Sequence, residues 1–149
     1  MAGKFRPVIW ANQLGRKKAY YVKEFNPTYK HDDKEYLGAK IKGKVRILIA
    51  QLRSGFHRLR CETGRWKVPK EEWEDKICRF CNEGVVEIEW HYLKDCTTYE
   101  DIRSQHKETL KVNNIKDLFE GPRLLLKGAI LLMQIHNKRD KLEKSQQTD

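Results

Sequence analysis

Four residues of this 149-residue chain have the types and the spacing of metal ligands. Cys78 and Cys81 form a Cys-x-x-Cys turn, His91 follows after nine residues, and Cys96 follows after four more. The short turn lets two thiolates reach one ion, and the His and Cys return from a second segment to close the shell. Three thiolates and one imidazole are the tetrahedral donor set of a closed, structural zinc site. The sulfurs must be deprotonated and the ring neutral, so ion binding and local folding are coupled. One structural Zn²⁺ is therefore expected. A catalytic zinc keeps one position open for water, whereas here protein fills all four. A thioredoxin-like redox pair would follow a strand in a βαβ unit, and no such pattern surrounds Cys78. Inert buried thiols give no reason for His91 and Cys96 to follow at ligand spacing. Cys61 stands outside the pattern. It reads as a small buried apolar side chain, with replacement of one ligand in a shifted register as the alternative.

The elements that must position these ligands can be read around them. An acidic stretch, Glu71 to Asp75, leads into the cluster. Val86, Ile88 and Trp90 alternate with Glu87 and Glu89, the period of a half-buried strand. A small hairpin is expected to carry Cys78 and Cys81, with His91 opening a short helical turn. Thr97 and Glu100 have capping-box spacing, so a helix is expected just after Cys96. Tyr99, Ile102, His106 and Leu110 mark its buried side, His106 as a polar neighbour and not a ligand. Asn114 can cap a short helix through Leu118 and Phe119. Gly121-Pro122 opens a last helix, and its stretch Leu124 to Leu142 is apolar on most faces in its first half.

Upstream, residues 1–11 read as an extended leading segment and residues 12–25 as a helix ended by Asn26-Pro27. Asp32 or Asp33 can cap a short turn through Tyr36 and Leu37. Residues 40–54 give the clearest helix, with Ile41, Val45, Leu48, Ile49 and Leu52 on one stripe. Ser54-Gly55 ends it. The expected fold is mainly α, a small helical domain with a zinc-stabilised β-hairpin or knuckle. Residues 1–70 form its basic helical N-terminal region, 71–112 the zinc unit, and 113–149 a C-terminal helical segment with a frayed tail from 143. Together they make one compact module.

Charge divides the chain at the metal cluster. Of a net charge of +10, residues 1–70 contribute 18 Lys and Arg against 5 Asp and Glu, while residues 71–149 contribute 13 against 16. Such asymmetry fits a polyanionic partner, most simply nucleic acid. A soluble, solvated surface is the plainer account. Lys40, Lys44 and Arg46 lie mostly off the apolar stripe of the 40–54 helix. Arg58, Arg60 and Arg65 alternate with Phe56, His57 and Trp66. Guanidinium forks hold phosphate oxygens, and aromatic faces stack on bases or on arginine. Trp66 and Leu59 can equally be core, with Glu62 pairing one arginine.

The run Leu52-Arg-Ser-Gly-Phe-His-Arg-Leu-Arg-Cys-Glu-Thr-Gly-Arg-Trp66, the Cys78/Cys81/His91/Cys96 cluster and Tyr99 with Arg103 resemble one known module. It is the zinc-binding module downstream of the reverse transcriptase in non-LTR, LINE-type retrotransposons. The pattern Tyr20, Phe25, Tyr36-Leu37 and the terminal apolar helix are also similar, so the resemblance covers roughly residues 13–143. Trp90 departs from it, since a smaller or acidic residue is expected before the His. The resemblance implies a module that helps a polymerase hold template RNA and target DNA. The polymerase itself is not implied, because its palm needs carboxylates around two metal ions. The sequence offers only Asp32-Asp33, in a polar stretch.

The expected function is thus a structural-zinc nucleic-acid-binding module, derived from a retrotransposon protein and without enzymatic activity of its own. The expected partners are RNA, DNA or both, and a reverse transcriptase domain. The alternative is a zinc-stapled protein-interaction module docking through the terminal apolar helix. No apolar run is long enough to span a membrane, and an intracellular location, nuclear before cytoplasmic, is expected.

Overall fold

The computed structural model describes residues 39–54 and 57–148. The expectations for residues 1–37, for the Gly55 helix stop and for Phe56 lie outside them. The described residues are mainly helical, with helices α1 (Gly43–Ser54), α2 (Arg60–Thr63), α3 (Glu100–Arg103) and α4 (Pro122–Gln146). Short turns join them. They include 3-10 turns at Gly64–Trp66, Trp73–Asp75, Thr97–Tyr99, Ser104–His106 and Ile115–Phe119, and a wider π turn at His91–Asp95.

α1 forms where the apolar stripe places it. Val45, Ile49 and Leu52 are buried, and Ile41 and Leu48 are half-buried beside them. This face packs against α4, which buries Leu125, Ala129, Leu131, Leu132 and Ile135. The Ile115–Phe119 turn lies across α4 with Ile115, Leu118 and Phe119 inside. Gly128 permits that approach, because a Cβ there would sit 2.2 Å from the Leu118 carbonyl oxygen. Leu59, Ile88, Tyr92, Leu93 and Tyr99 join the same apolar cluster. One core therefore takes side chains from α1, the cysteine-bearing segment and α4. Emptying such a site, as in Ile49→Ala, removes roughly 2–5 kcal/mol of stability.

Three local expectations are corrected. The hairpin is reduced to a single antiparallel bridge between Ile77 and Val86, and no longer strand exists among the described residues. Around it Cys78 N–H donates to Val85 O at 2.9 Å and Glu87 N–H to Lys76 O at 2.9 Å. Past the bridge the alternation fails: Glu87 is 1% exposed and Glu89 4%, while Trp90 is half-buried. Both carboxylates have cationic or hydrogen-bonding partners inside, which makes their burial tolerable. The capping box does not form. Thr97 caps nothing with its side chain, and Thr98 Oγ1 instead donates to Phe80 O at 2.5 Å. The tail expected to fray from 143 remains helical through Gln146. No helix among the described residues is long and apolar enough to cross a membrane.

Candidate metal centre

Cys78, Cys81, His91 and Cys96 converge, with one potential ligand atom from each and all four within 4.8 Å of one another. They are close enough to hold one metal ion. Zinc bonds to sulfur and imidazole nitrogen place neighbouring ligand atoms of a tetrahedron about 3.5–3.8 Å apart. Cys78 Sγ and Cys96 Sγ are 4.0 Å apart, and Cys81 Sγ and His91 Nε2 are 3.4 Å apart. The donor set and its separations fit a tetrahedral centre.

Each ligand is placed by a local device. The Ile77–Val86 bridge and the turn at Gly84, whose φ of 63° suits glycine, hold the Cys-x-x-Cys segment. The π turn brings Cys96 back, its N–H donating to His91 O at 2.7 Å. Arg103, buried beneath the turn, donates to the Cys96 carbonyl. Tyr99 packs edge-on against Tyr92 at 5.7 Å. His91 turns Nε2 to the cluster and Nδ1 toward Glu83, whose Oε2 lies 3.8 Å away. A carboxylate behind a ligating imidazole sets its tautomer and its basicity.

The thiols respond to this crowding. Cys78 donating to Cys96 pulls the Cys96 thiol down to about 3. The same bond, followed by burial, pushes Cys78 up. Burial raises Cys81. Lys94, two residues before Cys96, is pulled down by burial and donates to Val112 O at 2.9 Å. Its ammonium lies 4.3 Å from the centroid of the Trp90 ring, a cation–π contact that packs the half-buried indole.

Sequence reasoning missed the layer behind the ligands. Glu87 is bound through both oxygens by Arg139 of α4, Nη1 donating to Oε1 and Nη2 to Oε2 at 3.2 Å. Glu87 Oε2 also accepts the Arg60 N–H at 2.7 Å, and Oε1 lies 3.9 Å from Cys78 Sγ. The Arg139 guanidinium stands 4.8 Å from the Phe80 ring and 5.6 Å from the Tyr92 ring, and its Nη2 reaches Arg58 O at 3.4 Å. Burial lowers the Arg139 pKa, but the hydrogen bonds and charge of Glu87 outweigh it and the net shift is upward. A signal for Arg139 existed: it stands four residues after the buried Ile135 and seven after Leu132, on the buried stripe of α4.

Cys61 lies outside the four-ligand cluster, buried beside His57 and Glu89. These three could also group about an ion, but their geometry is that of a hydrogen-bonded trio. Leu59 N–H donates to His57 Nδ1 at 3.3 Å, which leaves Nε2 to donate directly to Glu89 Oε1. Two ligand atoms sharing one zinc would stand about 3.3 Å apart, wider than that direct contact. Cys61 Sγ donates to the same oxygen at 3.6 Å.

The candidate phosphate-binding residues divide. Lys40, Lys44, Arg58, Arg65 and Trp66 are exposed, and Arg46 is half-buried with Nη2 on Ala39 O at 2.9 Å. Arg60 is buried, donating through Nη2 to Glu71 Oε1 at 2.8 Å, so its guanidinium is turned inward. Lys44 and Arg58 share a cleft of about 490 Å³ between α1 and α4, also lined by His136, Arg139, Asp140 and Glu143. Arg65 and Trp66 do not line it. Comparison of the chain with family models, curated proteins and solved structures gives no match.

Proposed function

We propose that this chain is a zinc-stapled nucleic-acid-binding module of the type that follows the reverse transcriptase in non-LTR retrotransposons. Zinc is the ion of choice for three thiolates and one imidazole in a closed tetrahedron. Such a centre carries a formal charge near −1, so it is not itself an anion site. Its role is to hold the neighbouring cationic segment in place. One observation carries this reading: the two buried carboxylates between Cys81 and His91, Glu87 and Glu89, grip residues 57–61. Glu87 takes the Arg60 N–H, and Glu89 takes His57 and Cys61. Arg58 is thereby presented to solvent from a backbone fixed against the metal loop, and Arg65 is exposed on the Gly64–Trp66 turn that follows α2.

The phosphate contacts are assigned to Arg58, Arg65, Lys44 and Lys40, with Arg46 beside them. Arg60 is reassigned to a structural role under Glu71. A second reading has its own support: Leu126 and Ile130, four residues apart on α4, are 48% and 54% exposed and could meet a protein partner such as a polymerase domain. Salt separates the two. Phosphate contacts release counterions, so affinity falls steeply with ionic strength, whereas apolar docking is far less sensitive. Fluorescence anisotropy with labelled RNA and duplex DNA at two salt concentrations is the test. The expected result is salt-sensitive binding that weakens in Arg58→Ala/Arg65→Ala. Absence of binding at low salt by zinc-loaded protein overturns the reading.

A further inference from the structure

We propose that the loop from Gly64 to Glu71 is a stacking element for unpaired bases, so that the preferred ligand of the proposed surface is single-stranded nucleic acid. This rests on the nucleic-acid reading above and specifies its substrate class. The loop is a closed one. Glu71 N–H donates to Gly64 O at 3.1 Å across its neck. The Glu71 carboxylate accepts Arg60 Nη2 at 2.8 Å from below and Lys67 Nζ at 2.5 Å from within the loop. Gly64 leaves the room for this clasp, because a Cβ there would stand 2.5 Å from Glu71 Oε2 and 2.9 Å from Lys76 Cγ. The backbone is therefore tied at its base, and its tip is held out.

What the tip displays is not what folding alone would put there. Trp66 is 62% exposed and Val68 98%. A tryptophan placed for stability buries most of its large apolar surface. Around these two side chains stand Arg65, Lys67 and Lys70, all exposed. Arg65 pairs with Glu62 at 3.2 Å and Lys67 with Glu71, and each cation keeps nearly half of its side chain in solvent, where a phosphate can join it. Cations with an exposed indole match a partner that carries both phosphates and flat apolar faces. A duplex hides its base faces in the stack, whereas an unpaired strand offers them, and stacking tolerates any base. The pre-tied loop lowers the ordering cost of binding.

The test uses the full zinc-loaded chain, labelled oligo(dT) and a blunt duplex of equal length, read by anisotropy and tryptophan quenching. Wild-type protein should prefer the single strand. Trp66→Ala should weaken oligo(dT) binding about tenfold, in line with stacking of one base. Its salt slope and its duplex affinity should change little, and Trp66→Phe should recover most of the loss. Because Trp66 is a surface residue, zinc content and circular dichroism should stay normal. If Trp66→Ala binds oligo(dT) as wild type does with the salt slope intact, the stacking role is overturned while the nucleic-acid reading stands. If wild type binds neither probe at low salt, both fall together. Binding to phosphatidylserine vesicles with a tryptophan blue shift that Trp66→Ala abolishes, and not to either nucleic acid, would make the loop a lipid-surface element and overturn the proposal.

Discussion

Cys81 Sγ and His91 Nε2 meet at 3.4 Å from opposite sides of the metal loop, so losing either opens the shell on one flank. Cys81→Ser and His91→Ala should each lose the single zinc expected per chain and unfold the loop locally, because ion binding and folding are coupled. Cys61→Ser should keep the zinc, since Cys61 bonds to Glu89 and lies outside the four-ligand cluster. Elemental analysis beside circular dichroism decides it, and a full complement of zinc in His91→Ala would sink the ligand assignment. A zinc ion bound by this cluster would have to displace protons from the thiols that burial and hydrogen bonding hold up, Cys78 and Cys81. Apparent affinity should therefore rise with pH, and a chelator should strip the ion faster as pH falls. The ligands were legible because coordination imposes fixed residue types at fixed spacing. Glu87 and Glu89 were not, because a period of two does not say which face is buried. The cation that makes Glu87 burial tolerable, Arg139, lies 52 positions away in sequence.

The two framing helices were legible, α1 from its apolar period and α4 from the Gly121-Pro122 start and the apolar run after it, and both fall close to where those signals place them. The hairpin was not, because a strand needs a partner and only the Ile77–Val86 pair finds one. What ties the elements together is Arg139, which joins α4 to Glu87, Phe80, Tyr92 and the Arg58 carbonyl. Removing one partner of a buried ion pair strands the other charge, at roughly 3–5 kcal/mol. Arg139→Met should destabilise by about that much, and adding Glu87→Gln should recover part of it. Denaturant titration of the two single variants and the double gives the coupling, and additive effects would mean the pair is not a unit. Gly128→Ala probes the same helix by size alone. With Leu118 O 2.2 Å from the new methyl position, a loss of roughly 1–3 kcal/mol is expected in the same titration.

Across the molecule, the division of charge places 18 Lys and Arg in residues 1–70, ahead of the metal loop. Composition alone could not separate solvated cations from working ones. Folding does part of that sorting: Arg60 is withdrawn under Glu71, whereas Lys44 of α1 and Arg58 of the segment just after it line one cleft. Arg65 stands on the neighbouring loop, its side chain nearly half exposed beside the buried Glu62. If these three cations contact phosphates, replacing them removes counterion release and leaves apolar packing untouched. Each lost contact should lower the salt slope by about 0.7 for a single strand and about 0.9 for a duplex. Lys44→Ala/Arg58→Ala/Arg65→Ala should thus reduce the slope by roughly two to three and weaken binding alike for every sequence tested. Arg60→Ala makes the contrasting variant. It should lower the unfolding midpoint by loosening Glu71, yet leave the salt slope of the folded protein unchanged. A triple variant with normal zinc content and circular dichroism but wild-type affinity and slope would show that phosphates are held by other cations of the chain, whereas wild-type binding with little salt dependence would favour docking through Leu126 and Ile130.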